Sequence, residues 1–136
     1  MSDIHHFPIQ VYYEDTNFSG HVYHANYLKY CERARSGFLR DSGVNQTAMF
    51  AAGSAFVVRK INCDFLSPTK FDDVLDVETR VVNISGARFE LVQNIRSLDK
   101  TVFSAHVTVA IVDKSGRPQR INENLKLLVS ANFDHV

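Results

Sequence analysis

The residues best suited to chemistry crowd into one polar stretch, Glu14-Asp15-Thr16-Asn17-Phe18-Ser19-Gly20-His21, which continues through Val22 and Tyr23 into His24. It brings two carboxylates, two imidazoles, an amide and the hydroxyls of Thr16 and Ser19 close together along the chain. Groups of these kinds take a proton from water, orient it, or steady an oxygen that is turning negative. His21 and His24 are the natural proton acceptors, because imidazole titrates nearest neutrality. Asp15 and Glu32 are the carboxylate alternatives. Glu32 lies eight residues beyond His24, about two helical turns, so it can project to the same side. Its neighbours Arg33 and Arg35 equally suit a surface ion pair. Cys31 with a histidine would make a nucleophile pair, but it falls in an apolar stripe, where cysteine behaves as a small hydrophobe.

These residues need elements to hold them. Phe7 to Tyr13 has strand composition, with Pro8 near its start, where a missing N–H is tolerated. Residues 14–23 are polar, contain Gly20, and read as a loop. From His24 to about Leu39 the period changes: Tyr27, Tyr30, Cys31, Ala34 and Phe38 recur at steps of three and four, predicting a helix with one buried face. Leu28 and Leu39 widen that face, as in a helix that is wrapped rather than merely resting on a surface. Asp41-Ser42-Gly43 supplies the stop.

After a weak segment to Gly53, four extended runs follow, at Ala55–Phe65, Val74–Ile84, Arg88–Arg96 and Thr101–Val112. Leu75, Val77, Thr79 and Val81 alternate with Asp76, Glu78 and Arg80 at the strand period of two. Ser85-Gly86, Leu98-Asp99-Lys100 and Ser115-Gly116 read as turns, and the short gap between the third and fourth runs suits a hairpin. Asn122 to about Ala131 is helix or strand. The order of elements predicts an α+β fold in one domain spanning residues 1–136. A single apolar helix is hidden by five strands only if the sheet curls round it, and two such sheets joined edge to edge would protect their exposed edges. Dimerisation is therefore expected.

Composition narrows the function. The 136 residues carry 15 basic and 15 acidic side chains, with no net charge, which argues against nucleic-acid or anionic-membrane binding. The start, MSDIHHFPIQ, has no basic segment leading into an apolar run, and no stretch approaches the ~20 apolar residues of a membrane span. Two cysteines, Cys31 and Cys63, are too few for a disulfide framework. A reduced, cytoplasmic, soluble protein is expected. His5, His6, His106 and His135 have no partner at a metal-binding spacing.

The stretch Val11-Tyr12-Tyr13-Glu14-Asp15-Thr16-Asn17-Phe18-Ser19-Gly20-His21-Val22-Tyr23-His24-Ala25-Asn26-Tyr27-Leu28, with Glu32-Arg33-Ala34-Arg35 behind it, resembles a known signature. It is similar to the 4-hydroxybenzoyl-CoA thioesterase-like hotdog superfamily, and within it to the acyl-CoA thioesterases associated with the bacterial Tol-Pal envelope system. Ala55-Phe56-Val57-Val58-Arg59-Lys60 and Ser67-Pro68 extend the likeness. The resemblance implies a hotdog fold, a five-stranded antiparallel sheet wrapped around a long central helix. It also implies homodimers with two active sites, often paired into homotetramers, and no metal or redox cofactor.

It further implies roles. The helix start near His24 polarises the thioester carbonyl of an acyl-CoA, and Tyr13 belongs to the site. Tyr23, Asn26 and Tyr27 border the substrate, although Asn26 also suits a helix cap. Apart from the resemblance, coenzyme phosphates need basic residues, for which Arg59, Lys60 and Arg88 are the candidates, from this subunit or a partner, against the plainer reading of solvated charge. The family motif has an aspartate where this chain has Asn17. An amide cannot act as a base and can only orient water or a carbonyl. Either Asn17 directs water while His21, His24, Asp15 or Glu32 acts as base, or the chain binds without much hydrolysis, or the asparagine is an engineered replacement. The function expected is hydrolysis of acyl-CoA to free acid and coenzyme A, attenuated by Asn17. The alternative is a binding module for acyl-CoA or acyl carrier protein. A hotdog dehydratase lacks the histidine-and-acid pair its helix would need.

Overall fold

The computed structural model of the protein describes residues 4–130. Strand β1 (His5–Gln10) leads to the long helix α1 (His24–Asp41) and a short α2 (Gln46–Ala51). Strands β2 (Ala55–Phe65), β3 (Val74–Ser85), β4 (Arg88–Ser97) and β5 (Lys100–Val112) follow, then α3 (Glu123–Val129). The five strands form one antiparallel sheet in the order β1-β3-β4-β5-β2, with β1 and β2 at its edges.

The alternating strands turn Leu75, Val77, Phe89, Leu91, Ile95, Phe103 and Val107 to one face, where α1 lays down Tyr27, Tyr30, Cys31, Ala34 and Phe38. Each fully buried Leu, Ile or Phe contributes about 1.5–3 kcal/mol, so this α1–sheet layer dominates the stability. Of the two residues expected to widen the helix face, Leu39 is buried and Leu28 sits at the surface. The fully buried Gln93 ties the layers together. Its amide nitrogen, Nε2, donates to Cys31 O at 3.0 Å and Thr79 Oγ1 at 2.9 Å, while Oε1 accepts from Arg35 Nη1 at 2.9 Å.

Two local features differ from the sequence expectation, and a third decides an open one. The first strand stops at Gln10 rather than Tyr13, because Asp15 Oδ2 captures the Tyr12 N–H at 2.8 Å and closes a 3-10 turn over Tyr13–Asp15. The weak segment contains α2, started by Asn45, whose Oδ1 accepts from Ala48 N at 3.0 Å. The last piece is helical, capped in the same way by Asn122; Ala131 lies outside the described residues. The helix stop at Gly43, with φ of +92°, matches the expectation, since glycine enters that left-handed region without strain.

Gly37 shows how closely α1 meets the sheet: a methyl group there would lie 2.8 Å from the Phe7 ring. A mid-helix glycine costs about 1 kcal/mol relative to alanine, and close approach to β1 is what it permits. Gly37→Val is expected to lower stability by about 1–3 kcal/mol, the usual range for overpacking, read as a shift in the urea unfolding midpoint. An unshifted midpoint would mean that Phe7 simply moves aside.

Candidate active site

The site grows from one buried carboxylate. Asp15 Oδ2 holds the Tyr12 N–H, Oδ1 accepts from Asn26 Nδ2 at 2.9 Å, and the Asp15 carbonyl accepts from Tyr23 N at 2.9 Å. These bonds fasten the end of β1 to the first turn of α1. Asp15 is therefore committed on both oxygens and is an anchor rather than a free base. Asn26 is not the cap either: Tyr23 occupies that position, and no side chain caps α1. Asn26 N–H bonds to Tyr23 O at 2.8 Å. Among the described residues the His24 and Ala25 N–H groups have no protein acceptor. Open amides at the positive end of an eighteen-residue helix form an anion site.

The chain between Asp15 and α1 makes a tight turn, with Asn17 N bonded to His21 O at 2.9 Å and Gly20 at φ of +84°. A Thr16–Val22 bridge closes it and a His21–Lys70 bridge holds it to the loop before β3. Inside the turn a hydrogen-bond chain runs outward. Asn17 Oδ1 accepts from Ser19 N at 3.0 Å and from Ser19 Oγ at 2.7 Å, and Ser19 Oγ meets His21 Nδ1 at 3.1 Å. A backbone N–H can only donate, so the Asn17 oxygen is committed inward and Nδ2 is its outward group. The serine proton goes to Asn17, so Nδ1 of His21 donates to Ser19 and Nε2 carries the lone pair.

Asn17, Ser19, His21, Tyr23 and His24 are all exposed, and Phe18 stands wholly in solvent. Tyr23 lies against the His24 ring at 4.7 Å, His24 against Phe65 at 5.8 Å, and Tyr13, also exposed, against Phe71 at 6.3 Å. Tyr13, which the resemblance places at the site, is therefore not packed into the core. Tyr27, expected at the substrate, sits in the core instead, its hydroxyl bonded to Thr69 Oγ1 at 2.7 Å and its ring stacked on Phe103. Burial raises its pKa, and burial followed by the charge of Asp15 raises that of Tyr30. Burial pushes the Cys31 thiol up to about 12, so a thiolate nucleophile is excluded at neutral pH.

Glu32 is exposed and makes no ion pair among the described residues. Its neighbours turn elsewhere, Arg33 over the Tyr30 ring and Arg35 towards Gln93, so the surface ion pair does not form. Arg59, Lys60 and Arg88 do converge, with His106, Asn62 and Glu90, around an open cleft of about 350 Å³. A β-bulge between Val58 and Lys60 makes Arg59 the extra residue, which is how two successive side chains come to line one cleft. This cluster lies on the sheet face opposite α1. His106 pairs with Glu90 at 3.0 Å; a hydrogen bond from Asn83, then the His106 charge, lower the Glu90 pKa. Sequence spacing also missed a grouping at the other edge, where β1–β3 pairing brings His6, Asp76 and Glu78 within ligand reach of one another. His6 is far from the other two in the chain and is bonded to Asp76 at 2.7 Å. His135 lies outside the described residues.

A helix crossed by a five-stranded antiparallel sheet, with an exposed polar turn feeding an uncapped helix start, defines a hotdog-fold protein of the thioesterase class. The chain belongs to the thioesterase-like superfamily, whose profile matches residues 11–129. The acyl-CoA thioester hydrolase YbgC of Escherichia coli O6:H1 is 39% identical over 107 residues, covering 78% of this chain and 80% of that protein. The acyl-CoA thioesterase YbgC of Haemophilus influenzae is 42% identical over 108 residues, covering 79% of each. The crystal structure of a probable thioesterase from Bartonella henselae superposes with a TM-score of 0.83 at 40% identity, over 88% of this chain and 99% of that one. Among the described residues no helix is long and apolar enough to cross a membrane.

Asp15→Ala strands two donors at the loop–helix junction, and a charge-assisted hydrogen bond is worth about 1.5–3 kcal/mol. Chemical denaturation should show a loss of at least that size. In a thiol titration with an aromatic disulfide at pH 8, Cys31 should stay unreactive until denaturant is added.

Proposed function

We propose that the chain hydrolyses acyl-CoA thioesters to the free acid and coenzyme A. The carbonyl oxygen sits against the open N–H groups at the start of α1, near His24, which stabilise it as it becomes negative. His21 Nε2 takes a proton from the attacking water, Ser19 fixes the imidazole tautomer, and Asn17 Nδ2 donates to that water and holds it in place. The observation that carries this reading is the Asn17–Ser19–His21 chain standing exposed beside an uncapped helix. The similar proteins named as acyl-CoA thioesterases support the substrate class.

The cluster of Arg59, Lys60 and Arg88 is proposed to take the coenzyme phosphates, whose charge suits three cations facing a single carboxylate. We also propose a homodimer joined along β2. This edge strand is eleven residues long and exposes Val57, Val58 and Phe65, a combination that invites strand pairing with a second copy. Light scattering should give twice the mass of the chain, or four times where two dimers associate. A second reading, a binder of acyl-CoA or acyl carrier protein with little hydrolysis, is favoured by the amide at Asn17, which has no lone pair able to take a proton.

Asn17→Asp separates the two readings. Aspartate keeps the bonds from Ser19 on one oxygen and offers the other as a base, so kcat in a thiol-release assay should rise about tenfold or more. Unchanged or lower turnover, with tight acyl-CoA binding, favours the binder. His21→Ala should lower wild-type kcat roughly a hundredfold but cost much less in the Asn17→Asp background. Equal losses in the two backgrounds would count against His21 as base.

A further inference from the structure

The loop between β2 and β3 reaches both halves of the candidate site without supplying a reacting group. Leu66 and Ser67, just beyond β2, both donate their N–H to Val102 O of β5, at 2.9 and 3.1 Å, so the loop starts from the sheet. Pro68 follows, with φ fixed by its ring. Thr69, 3% exposed, then bonds in two directions. Its carbonyl accepts from Val22 N at 2.8 Å, and Lys70 beside it bridges His21. Its Oγ1 lies 2.7 Å from the Tyr27 hydroxyl. That hydroxyl donates to Ser67 O at 3.4 Å, and a carbonyl only accepts, so Thr69 donates the shorter bond.

Tyr27 stands three residues beyond His24 on α1, about one helical turn. The Thr69 hydroxyl therefore grips the helix just behind its open amides. The Thr69 carbonyl grips the turn that carries Asn17, Ser19 and His21. Asp15 already fastens this turn to the helix through Asn26 and Tyr23. One attachment leaves the turn free to pivot, and a second fixes its angle. Both Thr69 and Tyr27 are buried, so water does not compete for their bond. The setting matters because displacing a reacting group by ~1 Å can cost about a hundredfold in rate.

We propose that Thr69 is a positioning residue, holding His21 at its working distance from the first amides of α1 through Tyr27 on one side and Val22 on the other. The assignment rests on the acyl-CoA hydrolase reading above. Thr69→Val keeps the shape of the side chain and removes the donor. In a thiol-release assay its kcat should fall about tenfold or more with KM within about twofold, the coenzyme cluster being untouched. Thr69→Ser restores the donor and should keep kcat within about twofold. In the His21→Ala background Thr69→Val should cost about twofold or less, since no base remains to be placed. Unchanged kcat, a rise in KM alone, or an equal loss with and without His21 overturns the proposal. Where circular dichroism shows Thr69→Val unfolded, Tyr27→Phe removes the same bond and carries the same expectations. Loss of folding in both variants also overturns it, because the bond then serves the fold rather than the site. Absence of thiol release from every acyl-CoA overturns the hydrolase reading instead. NMR then decides the positioning: Thr69→Val must move the His21 ring resonances while those of His106, on the other face of the sheet, stay in place. Unmoved His21 resonances reject it.

Discussion

The candidate site depends on a buried carboxylate whose two oxygens both accept hydrogen bonds from the chain. Asp15 is buried at the junction of strand, turn and helix, and its oxygens hold Tyr12 on one side and Asn26 on the other. A buried carboxylate is tolerable only where donors satisfy it, so the turn and helix α1 must keep one relative position. That requirement leaves the first amides of α1 uncapped and presents Asn17, Ser19 and His21 to solvent. Beneath it, the apolar face of α1 and the inward faces of β3, β4 and β5 form the rigid support.

Much of this was legible in the chain. The period of α1, its glycine stop and the extents of β2 to β5 follow from hydrophobic spacing, because burial on one face imposes that spacing. What could not be read were features set by a side chain bonding to a distant backbone group. The early end of β1 comes from Asp15 reaching Tyr12, and α2 from the Asn45 cap, a signal present in the sequence but easily lost in a weak apolar pattern. Tyr27 illustrates the converse: the family signature places it near substrate, whereas its position on the buried stripe, read physically, predicts the core location it has.

Around the candidate site, the sequence shows which polar residues lie close together along the chain but not how they bond. Asp15 and Asn26 look like catalytic or capping residues by type, and instead they bond to each other. The link from Asn17 through Ser19 to His21 depends on a tight turn and on which atom must donate, neither of which spacing alone reveals. Arg35 looked like a partner for Glu32 on the helix surface; rotation along the helix turns it inward to Gln93. The convergence of Arg59 and Lys60 needed a bulge, which inserts one residue and cannot be seen in a simple alternation.

The missing cap on α1 has a wider implication. Serine, threonine, aspartate or asparagine at the position of Tyr23 would ordinarily make such a helix about 1 kcal/mol more stable. Any of them would also offer its own oxygen to the amides that the proposed mechanism reserves for the reacting carbonyl. Under that proposal, the tyrosine marks a compromise in which a little thermal robustness is given up so that the first turn stays vacant. Attempts to harden this scaffold should leave that end alone and look to the distal helices, where Asn45 and Asn122 already close their own first turns.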